Sequence, residues 1–184
     1  VKNGPPQPAQ LVKPTPEGAV ATTDSAVDFP GVNDLKAFTS IGGMWKMGKH
    51  GLSNSGDSFL ERREMGKYDS MKLVLYPIIS KGTATIQLSG LTLSIDLERS
   101  IWQIRSRQES LPEKPVAILP RTQNVFNFQY DKAKEGAMID LNNGMQSISI
   151  RDREVPDSMT IKVVNGAVLS ISELTFKRNE GLVK

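Results

Sequence analysis

Beyond about residue 40 the chain alternates apolar and polar positions with the two-residue period of half-buried strands, not the 3.6-residue period of helices. The clearest case runs from Met159 to Phe176: MTIKVV, then Asn165-Gly166, then AVLSISELTF. Asn and Gly tolerate the positive φ that tight turns demand, so the sequence predicts a hairpin here. Parity sets its register. A two-residue loop would put Leu169 and Ile171 on the face of Thr160 and Lys162. A three-residue loop, Asn165 to Ala167 with Gly166 in a bulge, instead aligns Ile161 with Ile171 and Val163 with Leu169. The bulged hairpin is therefore the expectation, with Met159, Ile161, Val163, Leu169 and Ile171 on its buried face. Such a face requires a second layer over it.

Upstream, the glycines at 42, 43, 48, 51, 56 and 66 leave room for short strands near Ile41 to Met47 and Ser58 to Arg63. Met71 to Ile79 is a near-continuous apolar strand whose Pro77 belongs at an edge or bulge. TATIQL (83–88) and LTLSIDL (91–97) alternate cleanly around Ser89-Gly90, as a second hairpin or a long bulged strand. Ile101 to Arg107 suits a short helix or a short strand, because Ile101 and Ile104 are three apart. ESLPEKP is a loop, Val116 to Leu119 a short strand, and Asn124 to Tyr130 a strand with Val125, Asn127 and Gln129 opposite Phe126, Phe128 and Tyr130. Ala137 to Leu141 and Gln146 to Arg151 follow, separated by an Asn142-Asn143-Gly144 turn. Many short strands with almost no helix make the fold class all-β: an antiparallel β-sandwich or jelly roll over residues 36–184.

Composition changes this picture at one end. Residues 1–30 hold six of the eleven prolines and no aromatic but Phe29, too little apolar surface to fold alone. Residues 1–35 therefore read as an extended Pro-rich arm that becomes ordered against another chain or its own body, with Pro5, Pro6, Leu11, Val12 and Phe29 as its contacts. Asn33 could cap a helical turn over Val32 to Phe38. Two lysines against three acids in residues 1–30 rule out a polybasic tail. Overall the 184 residues carry a formal charge of +3, a mild attraction to anionic partners. No cysteine is present, which removes disulfides and thiolate chemistry, and no apolar run is long enough for a membrane helix.

Candidate chemistry is sparse. His50 is the only histidine, so neither a zinc site nor a Ser-His-Asp triad can be assembled around it with any redundancy. No P-loop or dinucleotide fingerprint occurs. Acid pairs such as Asp57 with Glu61, or Asp152 with Glu154, are interleaved with arginines in the manner of a solvated surface. The expectation is a protein with no catalytic residue, cofactor, metal or small-molecule substrate. Basic residues gather at Lys46, Lys49 and His50 beside Trp45, at Arg62, Arg63 and Lys67, and at Arg99, Arg105 and Arg107 beside Trp102. Charge with a neighbouring aromatic could hold single-stranded nucleic acid; the competing reading buries both tryptophans and leaves the cations on the surface.

The run NVFNFQYDKAKEGAMIDLNN, a central strand after it, and the closing segment ending in SISELTFKR resemble the C-terminal half of coat-protein jelly rolls of picornavirus-like plant viruses. The likeness is to the comovirus, nepovirus and cheravirus group. It covers roughly Met71 to Arg178, and Leu91 to Pro120 has no counterpart. By size the chain is most similar to the smallest of three cheravirus-type coat proteins. The resemblance implies a structural subunit of an icosahedral shell, with other capsid subunits and non-specifically bound genomic RNA as partners. It also implies a virion assembled in host cytoplasm and a Val1 terminus left by polyprotein cleavage. Two other classes stay open: a viral matrix, movement or other nucleic-acid-binding β protein, and a monomeric ligand-binding β-sandwich.

Overall fold

The computed structural model describes the backbone of residues 23–28 and the whole of residues 38–178. Strand follows strand, with no helix among the described residues: β1 (Thr23–Asp28), β2 (Ser40–Gly48), β3 (Gly51–Arg62), β4 (Ser70–Ile79), β5 (Thr83–Leu88), β6 (Leu91–Asp96) and β7 (Ile101–Arg105). The rest are β8 (Lys114–Pro115), β9 (Asn124–Asp131), β10 (Gly136–Leu141), β11 (Gln146–Arg151), β12 (Met159–Val164) and β13 (Val168–Arg178). Neighbours pair antiparallel in the order β11-β10-β9-β4-β13-β3-β12-β5-β6-β7-β8, with β1 beside β13 and β2 beside β3.

This path doubles over where β13 meets β3, because just two residue pairs join them, Ser170 with Ser53 and Ile171 with Leu52. One layer is β11-β10-β9-β4-β13-β1 and the other is β2-β3-β12-β5-β6-β7-β8. Alternation puts one face of each layer inward. Leu73, Phe126, Phe128 and Ile139 of the first meet Ile86, Leu88 and Leu93 of the second around a gap of only about 10 Å³. Burying each such side chain contributes about 1.5–3 kcal/mol, which is what holds the layers face to face. The architecture is an antiparallel β-sandwich of jelly-roll type, as the alternation predicts.

The closing segment departs from expectation. Asn165 and Gly166 do form the turn, both with left-handed φ (61° and 83°), and Ala167 N donates to Val164 O at 3.4 Å. The flanking strands do not pair with each other. β12 lies between β3 and β5, whereas β13 pairs with β4, β3 and β1. The predicted bulged hairpin is thus an arch that carries the chain from one layer to the other. Its predicted buried face is right: Met159, Ile161, Val163, Leu169 and Ile171 are all at most 1% exposed. They meet across the core instead of side by side, and alternation alone treats the two arrangements alike.

Backbone partners decide between them. Asn54, buried in β3, donates from Nδ2 to Ala167 O (2.9 Å) and Gly56 O (2.8 Å), and its Oδ1 accepts from Leu169 N (2.8 Å). One side chain therefore bridges the stretch of β3 between its last pair with β12, at Ser58, and its first with β13, at Ser53. Asp57 Oδ1 accepts from Asn165 N at 2.9 Å and fixes the tip of the arch. Gly51 makes the junction possible at the other end of the gap: it has φ +105°, and a Cβ there would lie 2.1 Å from Ile171 O.

Other elements sharpen the sequence reading. Ile101–Arg105 is a strand, since Trp102 and Ile104 both point into the core. Thr83–Leu88 and Leu91–Asp96 form the hairpin around Ser89-Gly90. The expected strand at Val116 to Leu119 is absent; the pairing sits one step earlier, at Lys114–Pro115 against β7, and Pro120 blocks continuation. Asn124 takes over there, its Oδ1 accepting from Leu119 N (2.8 Å) and its Nδ2 donating to Leu119 O (2.9 Å). β2 and β3 are longer than expected because Gly43, at φ +74°, absorbs a bulge between Gly42 and Met44. Pro77 stands where β9 no longer pairs with β4, as predicted. Within the expected arm, Thr23–Asp28 pairs with β13, the chain's own body. The expected contacts Pro5, Pro6, Leu11, Val12 and Phe29 lie outside the described residues, as does most of the expected helical turn, whose last residue Phe38 is buried.

Candidate functional site

The six-stranded layer turns polar rows outward. Across β13, β4, β9, β10 and β11 the first row is Lys177, Ser70, Gln129, Met138 and Ser149, and the second is Thr175, Lys72, Asn127, Asp140 and Ser147. Each residue occupies the strand position opposite a buried neighbour such as Met71, Phe128 or Ile139, so core packing aims these side chains at solvent. Two adjoining depressions open on this face. One, of about 570 Å³, is lined by Ser70, Lys72, Asn127, Gln129, Glu173, Thr175 and Lys177 among others. The second, of about 600 Å³, runs from Gln129 past Met138 and Ser149 to the Asp131–Lys134 loop, Arg151 and Glu109. Gln129 lines both.

The walls are built locally. Asp131 Oδ1 accepts from the backbone N of Ala133 (3.0 Å) and Lys134 (3.2 Å), and its other oxygen pairs with Lys134 Nζ at 3.2 Å. The side-chain bond from Lys134 is the main reason the Asp131 carboxyl sits below the usual carboxylate range. Burial, then the carboxylates of Asp152, Glu135 and Asp131, push the Tyr130 hydroxyl above its usual range, so it stays protonated. On the far side the loop after β7 is clipped to β11: Ser106 Oγ donates to Arg151 O (2.6 Å) and Arg151 N donates to Glu109 Oε2 (2.9 Å). On the floor, Lys72 Nζ lies 2.8 Å from Glu173 Oε2. The side-chain amides of Asn127 and Gln129 make no hydrogen bond to the described residues, leaving each, donor and acceptor, open to whatever enters. Asp140 Oδ1 accepts from Ser147 Oγ at 3.1 Å.

The basic residues picked out by sequence do not come together. Lys46 and Lys49 are exposed on β2 and the turn after it. Trp45 is buried beside them, its Nε1 donating to Gly42 O (3.3 Å) and Phe59 O (3.2 Å). Arg63 pairs with Glu61 at 2.9 Å and Lys67 is exposed, but Arg62 occupies a core-facing position of β3. Arg99 pairs with Asp96 and Glu113, Arg107 with Glu154, and Arg105 is exposed, while Trp102 is buried. No tryptophan is presented for stacking. His50 lies flat against Tyr76, ring centroids 3.9 Å apart, at the turn between β2 and β3. Among the described residues no group of three or more His, Cys, Asp or Glu gathers in a way that could hold a metal ion.

No family model matches the chain, and no curated protein matches its sequence. The fold does have counterparts among solved structures. A Bacillus subtilis protein of unknown function with a galectin-like fold superposes at TM-score 0.64 with 10% identity, covering 84% of this chain and 94% of that one. A legume lectin-like domain from Entamoeba histolytica gives 0.59 at 13% identity, covering 84% and 93%. The Crh5 transglycosylase in complex with NAG gives 0.61 at 10% identity, covering 88% and 86%. This chain is similar to all three in fold: a galectin- and legume-lectin-like β-sandwich.

Sequence reasoning found the strand that carries Asn127 and Gln129 and their outward facing, but not that this face is hollow. The signal available was the unusual density of amide and hydroxyl side chains at the outward positions of adjacent strands. Reading it requires knowing that β4, β9 and β13 are neighbours.

Proposed function

We propose that the chain is a non-catalytic carbohydrate-binding β-sandwich whose ligand lies along the hollow outward face of the β11-β10-β9-β4-β13 layer. The observation that carries this is the pair of unengaged amides, Asn127 and Gln129, on the floor where the two depressions meet. Sugar hydroxyls both donate and accept, and an amide offers both functions from one side chain. The Lys72–Glu173 pair adds a charged donor and a charged acceptor 2.8 Å apart, and Met138, 42% exposed, supplies apolar surface for a sugar's C–H face. The similarity in fold to a legume lectin-like domain supports the same reading. Glycoside hydrolysis would need a carboxyl pair with opposed protonation. Here Glu173 is tied to Lys72, Asp131 to Lys134 and Glu109 to the Arg151 amide.

The test is a glycan array followed by calorimetric titration of the best ligand. Asn127→Ala and Gln129→Ala should each weaken binding by about tenfold or more while leaving the unfolding midpoint unchanged, because neither amide bonds another described residue. Absence of any glycan ligand, or variants that bind like the parent, would overturn the reading. The coat-subunit reading rests on the sequence likeness and on the jelly-roll topology; light scattering separates it, since it requires large closed particles.

A further inference from the structure

The core-facing positions of β3 end in Arg62, and those of β13, after Leu174 and Phe176, end in Arg178. Two cations thus stand at the same rim, one on each layer, where an apolar core would be expected to end in solvent. Arg62 Cζ sits 5.8 Å from the centre of the Phe176 ring, whose other neighbour is Tyr68, edge-on at 5.0 Å. Arg62 Nη1 and Arg178 Nε are both enclosed and have no hydrogen-bond partner among the described residues. The acid next to Arg62 in sequence, Glu61, is already engaged by Arg63 at 2.9 Å. The Arg178 guanidinium also packs against Gly66, at ordinary contact distance, 3.4–3.6 Å, from where a Cβ would stand. Burial, and then the charge of Arg178, hold the Arg62 guanidinium below its usual range, so the two cations repel one another.

Enclosed N–H groups without acceptors are costly, and two of them on like charges doubly so. A single oxyanion would relieve both at once, since guanidinium forks match the oxygens of carboxylate, sulfate or phosphate. We propose that Arg62 and Arg178 form a binding site for one small oxyanion at the mouth between the two layers, either free or carried on an acidic sugar. This site is separate from the hollow face and does not rest on the carbohydrate reading.

Thermal unfolding of the full chain, titrated with sodium sulfate and with glucuronate against sodium chloride at matched ionic strength, tests it. A saturable rise in midpoint is expected for sulfate, for glucuronate, or for both. A preference for glucuronate would mark an anion carried on a sugar, and equal response a bare anion. Arg62→Gln and Arg178→Gln should each weaken the fitted affinity by about tenfold, while Arg63→Gln, one residue away and paired to Glu61, should not. Should the core-facing variants fail to fold, the arginine Nε–H resonances of the parent protein give a second readout, and that of Arg178 should shift on adding sulfate. A rise that never saturates, equal rises in all variants, or unmoved Nε–H resonances would overturn the proposal.

Discussion

Two turns in this molecule are spelled almost alike and do opposite things. Ser89-Gly90 joins β5 to β6, and those strands pair in full register from Thr83 with Asp96 to Leu88 with Leu91. Asn165-Gly166 joins β12 to β13, and those strands do not pair at all. The dipeptide sets the sign of φ at the bend; it does not choose the partners of the strands that leave it. At Ser89-Gly90 the facing edges of β5 and β6 pair with each other, while their outer edges take β12 and β7. At Asn165-Gly166 the side chains of Asn54 and Asp57 reach across from β3 and occupy the very backbone groups that hairpin pairing would use.

If that account holds, removing Asn54 should break the arch hardest. Asn54→Leu strands Ala167 O and Leu169 N in a buried setting, and at about 1–3 kcal/mol for each orphaned group the loss should be about 3 kcal/mol or more by urea unfolding. A loss under about 1 kcal/mol would mean that the arch holds without it.

The two glycines offer a paired test. Gly166 has φ +83° with open space around its missing Cβ, so Gly166→Ala should cost about 1 kcal/mol through backbone strain alone. Gly90 does not have a positive φ, and the one close approach to an added methyl is Glu154 Oε2 at 2.6 Å, the far end of a side chain whose only ion pair among the described residues is with the exposed Arg107. Gly90→Ala should therefore cost a few tenths of a kcal/mol, roughly the surface value. Equal losses in parallel denaturation curves would erase the distinction. Smallest among the arch contacts is Asp57→Ala: its bond to Asn165 N is exposed, and about 0.5–1 kcal/mol is expected, measured in the same way.

These turns also mark what the chain's pattern could convey. Inward and outward positions were legible where the pattern alternates: Leu91, Leu93 and Ile95, or Phe126, Phe128 and Tyr130, alternate in sequence as they do in burial. Local pairing was legible where strands are consecutive, as at Ser89-Gly90. Long-range pairing was not, because β12 is flanked by β3 and β5 through contacts that no local pattern encodes. The hollow face suffers from the same blindness. Asn127 on β9, Lys72 on β4 and Thr175 on β13 become neighbours only through pairings between distant segments. Of the two readings of the basic side chains near tryptophans, the one that buries the rings holds: Trp45 and Trp102 turn inward while Lys46 and Arg105 turn out.

The last described strand lies between β4 and β3, and its Ser170 hydroxyl meets that of Ser53, 117 residues earlier. Synthesis must therefore have run on through β12 and β13 before the two layers can close over one another. Until then β4 and β3 present unpaired edges, and each nascent copy waits on strands made long after them.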